Sequence, residues 1–180
     1  MLQVQTRYSL EVDEDTYLRI IYQKTASLIE CACRIGASFL DDQDAFDDVF
    51  RRFGRQTGLV VQITDDIFDY LGDPRRLGKP TGCDWAEGRI TLPLIAAWRA
   101  ASAESRAELA SLAASRDATE RTASWPAVQA FVDQHGGVEY AYERARAFAE
   151  EAKTALAGLQ PGPRRDLLTV AVEYVINRLN

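Results

Sequence analysis

The amino-acid sequence predicts an all-α protein. Apolar residues recur at intervals of three and four positions along most of the chain, which is the period of an amphipathic helix. No segment alternates apolar and polar residues convincingly over the length of a strand. Glycine and proline gather at a few places, most densely between Gly72 and Gly88, which indicates connections between helices.

The N-terminal part of the sequence is predicted to hold two long helices. Asp13 or Asp15 can cap the first. Its recurring positions are Tyr17, Ile20, Ile21, Lys24, Leu28, Ile35 and Leu40. The second helix is expected from Ala45 or Phe46 to about Tyr70. A stop at Gly72-Asp73-Pro74 and a loop to about Gly88 follow it.

Five further helices are predicted after that loop. Helix resumes near Leu92 or Pro93, since proline suits a first helical turn. The next three are expected at Ala103–Ala114, Trp125–Gln134 and Val138–Gly158, and the last follows Pro161-Gly162-Pro163. The length of 180 residues is close to that of one typical domain of about 150 residues, so we expect one all-helical unit over residues 1–180.

Composition narrows the functional classes. In 180 residues, 47% are hydrophobic and 27% are charged, which is typical of a single globular domain. No apolar run approaches the ~18 residues of a membrane span, and the first residues do not resemble a secretory signal. We therefore expect a cytoplasmic protein without a transmembrane segment. The net charge of −6 argues against nucleic-acid binding, because phosphate contacts need a basic surface.

Four polar residues share one face of the second long helix. They are Gln62, Asp65, Asp66 and Asp69, and at 100° per residue they fall within an arc of roughly 100°. Carboxylates this close repel one another, so a cation is expected among them. Mg²⁺ fits, because it takes oxygen ligands and bridges carboxylates to substrate phosphates. The alternative interpretation is a solvated acidic face.

Basic and hydroxyl side chains flank this motif in the sequence. Lys24 and Thr25 lie in the preceding helix, and Lys79 lies in the loop that follows the aspartates. These lysines could form simple ion pairs, but with a diphosphate present they would contact the oxygens that Mg²⁺ leaves free. Apolar neighbours such as Ile63 and Ile67 indicate a largely buried setting, which favours a binding site.

Four segments then carry a resemblance to a known family. They are Lys24-Thr25, Gln62-Ile63-Thr64-Asp65-Asp66-Ile67-Phe68-Asp69, Gly78-Lys79-Pro80-Thr81-Gly82-Cys83-Asp84 and Glu87-Gly88-Arg89-Ile90-Thr91-Leu92-Pro93. In this order they resemble the second aspartate-rich motif and its flanks in the trans-isoprenyl diphosphate synthase, or polyprenyl synthetase, family. The resemblance runs along nearly the whole chain and implies the helical isoprenoid synthase fold.

The resemblance also implies an activity and a set of roles. The family's prenyltransferases condense an allylic diphosphate with isopentenyl diphosphate in isoprenoid biosynthesis, through a Mg²⁺-assisted carbocation. By resemblance, Asp65 would be the most direct metal ligand, and Asp66 and Asp69 would contribute through the metal or its waters. The diphosphate would be bound by Lys24, Thr25, Gln62 and Lys79. Of these, Lys24 and Lys79 would also be catalytic, because cations stabilise the departing diphosphate.

The sequence departs from the family in one large respect. A full-length synthase runs to roughly twice the length of a typical domain, and its earlier half carries a first aspartate-rich motif that this sequence lacks. Residues 1–180 therefore resemble the C-terminal half of the fold, and we expect the N-terminal half to be absent. The acidic cluster Asp41-Asp42-Gln43-Asp44 with Asp47-Asp48 falls in an expected helix connection, so we interpret it as a solvated loop and helix cap.

A half-fold has physical consequences. It would expose apolar helix faces, so we expect the isolated chain to be inactive and to form a homo-oligomer or bind a complementary chain that supplies the N-terminal half. The chain could be one subunit of a split enzyme, a truncated fragment, or a non-catalytic regulatory or assembly subunit. A class I terpene cyclase is less favoured, because its second metal motif typically has Ser or Thr where this sequence has Asp69.

Overall fold

The computed structural model describes residues 2–39, 43–71 and 80–178, which are predominantly helical and contain no strand. The helices are α1 (Leu2–Gln5), α2 (Glu14–Ile21), α3 (Ser27–Ala37), α4 (Gln43–Leu71), α5 (Cys83–Ala86), α6 (Leu92–Ala100), α7 (Ala103–Ala113), α8 (Ala118–Gln134), α9 (Gly137–Ala155) and α10 (Pro163–Asn177). A π-helical turn, Tyr22–Ala26, joins α2 to α3, and a 3₁₀ turn, Leu156–Gly158, follows α9. Within these ranges no helix has the length and apolar character of a membrane span.

The predicted all-α class is confirmed, and several elements match in extent. The second long helix corresponds to α4, and the helix expected at Ala103–Ala114 corresponds to α7. Proline lies in the first turn of both α6 and α10, as expected from its fixed backbone angle. Leu40, which was expected to end the first long helix, lies outside the described residues.

The first predicted helix is interrupted by the π-helical turn. The Ser27 amide donates a hydrogen bond to the Tyr22 carbonyl, so this turn holds one residue more than an α-helical turn. One extra residue shifts the helical register by about 100°. Leu28 and Ile35 belong to the same recurring positions as Tyr17, but they are 72% and 57% exposed, whereas Tyr17 is 2% exposed. The period of an uninterrupted α-helix therefore does not hold across the turn.

Two other elements differ from the prediction. The short helix α5 lies inside the segment that was expected to be a loop. Helix α8 begins well before Trp125, because the Asp117 side chain accepts hydrogen bonds from the amides of Thr119 and Glu120, at 2.8 and 3.0 Å. Pro126 consequently lies inside α8 rather than in its first turn. An aspartate cap therefore marks the start of this helix better than its proline does.

The chain forms two compact units. The first contains Met1–Ile20 and Asp65–Tyr142, and the second contains Ile21–Thr64 and Glu143–Asn180. The boundaries between them fall inside α2, α4 and α9, so no linker sequence separates them. That residues 1–180 act as one domain stays a prediction.

Helix α8 is the centre of the first unit and packs against α5, α6 and α7. Trp85 of α5, Leu94 of α6 and Leu109 of α7 are each at most 2% exposed, and Val128 and Val132 of α8 are fully buried. Burial of a large apolar side chain contributes about 1.5–3 kcal/mol. This packing holds α5 in place, because four residues cannot form a stable helix alone.

The second unit depends on two glycines of α4. A Cβ at Gly58 would lie 2.4 Å from the Cα of Ala26, and a Cβ at Gly54 would lie 2.8 Å from the Cα of Glu30. Residues four apart share one face of a helix, so this face of α4 has no side chain at two successive turns. The π-helical turn and α3 therefore approach the α4 backbone closely.

Candidate functional site

The three aspartates of α4 lie in different surroundings. Asp66 and Asp69 are 5% and 2% exposed, whereas Asp65 is exposed to solvent. The expectation of a buried setting is therefore met by two of the three carboxylates. A buried carboxylate requires hydrogen-bond donors or a cation, because desolvation disfavours its charge.

Asp66 accepts a hydrogen bond from a buried tyrosine. The Tyr17 hydroxyl lies 2.8 Å from Asp66 Oδ2, and Tyr17 is 2% exposed. Burial, followed by the negative charge of Asp66 and the hydrogen bond itself, raises the pKa of Tyr17 well above its ordinary value. Tyr17 therefore stays protonated and remains a donor, which orients the Asp66 carboxylate.

Asp69 is bound by the backbone that begins α5. Its carboxylate accepts hydrogen bonds from the amides of Cys83 and Asp84, at 3.2 and 2.8 Å, and its carbonyl accepts one from the Gly82 amide at 3.0 Å. Gly82 is the N-cap of α5 and has no side chain that could bond these amides. Asp69 thus acts as the cap of α5 from another helix, and a carboxylate suits the positive end of the helix dipole.

Asp84 is paired with a nearby arginine. Arg89 Nε lies 2.7 Å from Asp84 Oδ1, and Arg89 also contacts the Glu87 carboxylate. Burial alone would lower the pKa of Arg89, but Asp84 and Glu87 outweigh it and raise the pKa. Arg89 therefore stays charged and balances the acidic residues of this loop.

In the second unit, a hydroxyl and an amide of the predicted set meet. The Thr25 hydroxyl donates a hydrogen bond to Gln62 Oε1 at 2.7 Å, and Gln62 is 6% exposed. Lys24, the neighbour of Thr25 in the π-helical turn, is exposed to solvent. Such turns often occur at functional sites, because the extra residue changes the direction of nearby side chains.

The remaining predicted positions are Lys79 and the acidic cluster that begins at Asp41. Lys79 and Gly78 lie outside the described residues, and so do Asp41 and Asp42. The end of the acidic cluster is described: Arg34 Nε lies 2.8 Å from Asp47, and Arg51 pairs with Asp48. These are exposed ion pairs, which agrees with the interpretation of the cluster as a solvated surface.

The arrangement suits a cation that arrives together with a phosphate ligand. Within the described ranges, no group of three or more His, Cys, Asp or Glu residues is placed to hold a metal ion. Mg²⁺, however, is usually bound through only one or two carboxylates plus substrate phosphates and water. Asp65 offers such an exposed carboxylate next to the buried Asp66. The donor set therefore fits Mg²⁺ in this form.

The groups that hold Asp66 and Asp69 were not predicted from the sequence. Tyr17 was assigned only to the recurring positions of the first helix, although a buried tyrosine hydroxyl normally finds a partner, and that signal could have been used. The amides of Cys83 and Asp84 leave no signal in the sequence, because every residue except proline carries a backbone amide.

Replacing Tyr17 with phenylalanine is expected to lower the free energy of unfolding by about 1.5 kcal/mol, because Asp66 loses a hydrogen bond to a charged group. Urea denaturation would measure the change. Tyr174→Phe is the matched control, since Tyr174 is 68% exposed and should tolerate the loss of its hydroxyl. Equal effects of the two substitutions would contradict a role for the Tyr17 hydroxyl.

Comparison with solved structures defines the class of fold. A polyprenyl synthase from Caulobacter crescentus CB15, in a crystal structure complexed with calcium and isoprenyl diphosphate, superposes with a TM-score of 0.89 at 29% identity. The superposition covers 97% of this chain and 53% of that chain. The protein therefore has the all-helical isoprenyl synthase fold.

Comparison of sequences defines the family. Residues 1–131 match the polyprenyl synthetase family, and the chain belongs to it. An all-trans-nonaprenyl-diphosphate synthase (geranyl-diphosphate specific) of Rhodobacter capsulatus is 36% identical over 99% of this chain and 54% of its own length. Heptaprenyl diphosphate synthase component 2 of Geobacillus stearothermophilus is 31% identical over 98% of this chain and 53% of its own length. The chain thus spans about half the length of these relatives.

Proposed function

We propose that this chain carries the diphosphate-binding, second-aspartate-motif part of a prenyltransferase of isoprenoid biosynthesis. The observation that carries the proposal is the difference in burial and hydrogen bonding among the three α4 aspartates. Asp66 and Asp69 are buried and already bonded to protein groups, whereas the neighbouring Asp65 is exposed to a ligand. A solvated acidic face, which is the alternative interpretation, would leave all three carboxylates exposed, whereas Asp66 and Asp69 are buried.

The proposal assigns a role to each side chain of the motif. Asp65 would bind Mg²⁺ directly, while Asp66 and Asp69 would act through the metal or its waters. The metal would neutralise the charge of the diphosphate. Diphosphate oxygens would be bound by Lys24, Thr25, Gln62 and Lys79. In this set Lys24 and Lys79 would stabilise the charge of the departing diphosphate, which is electrostatic catalysis.

The substrates follow from the family and its members. One relative of this chain is named a nonaprenyl-diphosphate synthase and another a short chain isoprenyl diphosphate synthase, and one solved relative is complexed with isoprenyl diphosphate. An allylic diphosphate and isopentenyl diphosphate are therefore the proposed substrates, and Mg²⁺ the proposed cofactor. A cytoplasmic location, expected from the sequence, stays a prediction.

The first aspartate-rich motif would come from the other half of the fold, either on the same polypeptide or on a complementary chain. A relative that is named as component 2 of a heptaprenyl diphosphate synthase gives the complementary chain a precedent. The same relative supports the second candidate function, an assembly or regulatory subunit of a polyprenyl synthetase. Such a subunit would keep the fold without binding diphosphate.

Isothermal titration of the purified chain with pyrophosphate separates these two functions. We expect heat of binding in the presence of Mg²⁺ and none when EDTA removes the metal. Binding of equal strength with and without Mg²⁺ would contradict the metal-dependent site. No binding in either condition would favour the assembly role.

A further inference from the structure

We propose that Arg121 is a positioning residue that holds Asp69 in place by fixing the amides of α5. The proposal rests on the proposed function, since Asp69 belongs to the aspartate motif. All the contacts that carry it lie within the first unit.

Arg121 is buried in an unusual way. Its side chain is fully buried, yet no carboxylate is paired with it among the described residues. Desolvation lowers the pKa of its guanidinium below the ordinary value. A buried cation without a counter-charge destabilises a protein unless specific hydrogen bonds offset the loss of hydration. The acceptors of its N–H donors therefore indicate which elements the Arg121 side chain holds together.

Two of the three guanidinium nitrogens of Arg121, Nε and Nη1, donate to backbone carbonyls, whereas Nη2 is buried and has no hydrogen-bond partner among the described residues. Its Nε donates to the Trp85 carbonyl of α5 at 2.6 Å. Its Nη1 donates to the carbonyls of Ala113 and Ser115, at 3.3 and 3.1 Å, where α7 ends. One planar guanidinium thus ties α5 to the end of α7 from α8, because its separate nitrogens point in different directions, whereas the donors of a lysine ammonium all share one nitrogen.

Trp85 in turn donates a hydrogen bond back to Arg121. Its indole Nε1 donates to the Arg121 carbonyl and to Ser124 Oγ, both at 3.0 Å. The guanidinium of Arg121 also lies 3.6 Å from the centre of the indole ring, and such stacking stabilises a desolvated cation. Arg121 and Trp85 therefore form a reciprocal pair, which we call the Arg–Trp clamp.

The clamp acts on the residues that hold Asp69. Cys83 and Asp84, whose amides bond the Asp69 carboxylate, precede Trp85 directly in α5. Because α5 has only one turn, its amides take their direction from the contacts of Trp85. Loosening the clamp should therefore release Asp69, although Arg121 does not touch the ligand.

The first test needs no ligand. Amide hydrogen exchange of Cys83 and Asp84, followed by NMR, should accelerate at least tenfold in Arg121→Met. Arg121→Lys should restore part of the protection, because it keeps a positive charge and one donor nitrogen. Arg116→Met is the matched control: Arg116 is exposed and shares only the ring of Tyr8 with Arg121. If exchange at both amides stays unchanged in Arg121→Met, the proposal is overturned.

The second test measures function. Arg121→Met should weaken Mg²⁺-dependent binding of pyrophosphate about tenfold, the lower end of the range for residues that orient metal ligands. Faster exchange with unchanged affinity would show a structural clamp only and would overturn the positioning role. If the unchanged chain binds no pyrophosphate, the proposed function fails, while the exchange data still decide whether the clamp holds Asp69.

A milder variant covers the case in which Arg121→Met does not fold. Trp85→Phe keeps an aromatic ring under the guanidinium but removes the indole donor to Arg121 and Ser124. It should accelerate exchange at Cys83 and Asp84 in the same direction by a smaller factor. Protection equal to that of the unchanged chain would contradict the clamp.

Discussion

Replacing Gly58 with alanine is expected to lower the free energy of unfolding by about 3 kcal/mol, in the upper part of the range for overpacked sites. The new Cβ would lie 2.4 Å from the Cα and 2.7 Å from the Cβ of Ala26. Ala26 is fully buried, and its backbone belongs to the π-helical turn, so it cannot rotate away as a long side chain would. The π-helical turn must move away from α4 or α4 must bend.

Gly36→Ala is the matched control for this substitution. Gly36 lies in α3, in the same unit, and a Cβ there would meet nothing within 4 Å. Since alanine favours helix over glycine, Gly36→Ala should raise the free energy of unfolding by about 0.5–1 kcal/mol. Urea denaturation of both variants gives the comparison. If both substitutions change the free energy of unfolding with the same sign, the close packing at Gly58 does not determine the effect of the added methyl group.

The same substitution should also affect the polar contact in the π-helical turn. Thr25 precedes Ala26, and its hydroxyl bonds Gln62, which lies one helical turn beyond Gly58 on α4. A displaced turn would lengthen the 2.7 Å hydrogen bond between Thr25 and Gln62. Gly58→Ala should therefore weaken pyrophosphate binding as well as stability, whereas Gly36→Ala should leave the affinity unchanged.

Replacing Asp65 with asparagine is expected to weaken Mg²⁺-dependent binding of pyrophosphate by at least about 100-fold, the upper end of the range for residues that only orient metal ligands. Asparagine keeps the shape of the side chain but removes its charge, and Mg²⁺ prefers charged oxygen ligands. Asp65 is exposed, so the fold should tolerate the change. Isothermal titration at fixed Mg²⁺ would measure the loss.

The control for Asp65 is a second exposed aspartate of the first unit. Asp133→Asn on α8 makes the same change of charge. Comparable losses in Asp65→Asn and Asp133→Asn would indicate a general effect of net charge and would contradict a ligand role for Asp65. Thermal unfolding of both variants should differ little from that of the unchanged chain, because neither side chain is buried.

The sequence alone predicts the parts of this structure that depend on local pattern. Helix α4 follows from its periodic apolar residues, and the spacing of Asp65, Asp66 and Asp69 places them on that helix. The partners of these aspartates could not be predicted in the same way. Tyr17 is 49 positions from Asp66, and only the packing of α2 in the first unit brings its hydroxyl there. Apolar periodicity carries no information about such a hydrogen bond.

The π-helical turn is a second feature that apolar periodicity does not predict. Its formation goes with the close approach of Ala26 to Gly58, a contact between residues that are distant in the sequence. Without that contact, an uninterrupted α-helix is the simplest interpretation of Tyr17 to Ile35, and it places Leu28 and Ile35 at the same recurring positions as Tyr17. The helices could be located from the sequence, but the register of α3 could not.

This turn also has a consequence for how the protein could change over evolutionary time. Because residues Tyr22–Ala26 hold one residue more than an α-helical turn, the loss of a single codon there would return α3 to the register of α2. Every side chain of α3, Leu28 and Ile35 included, would then turn by about 100° around the helix axis. A single substitution in this segment, by contrast, changes only one side chain.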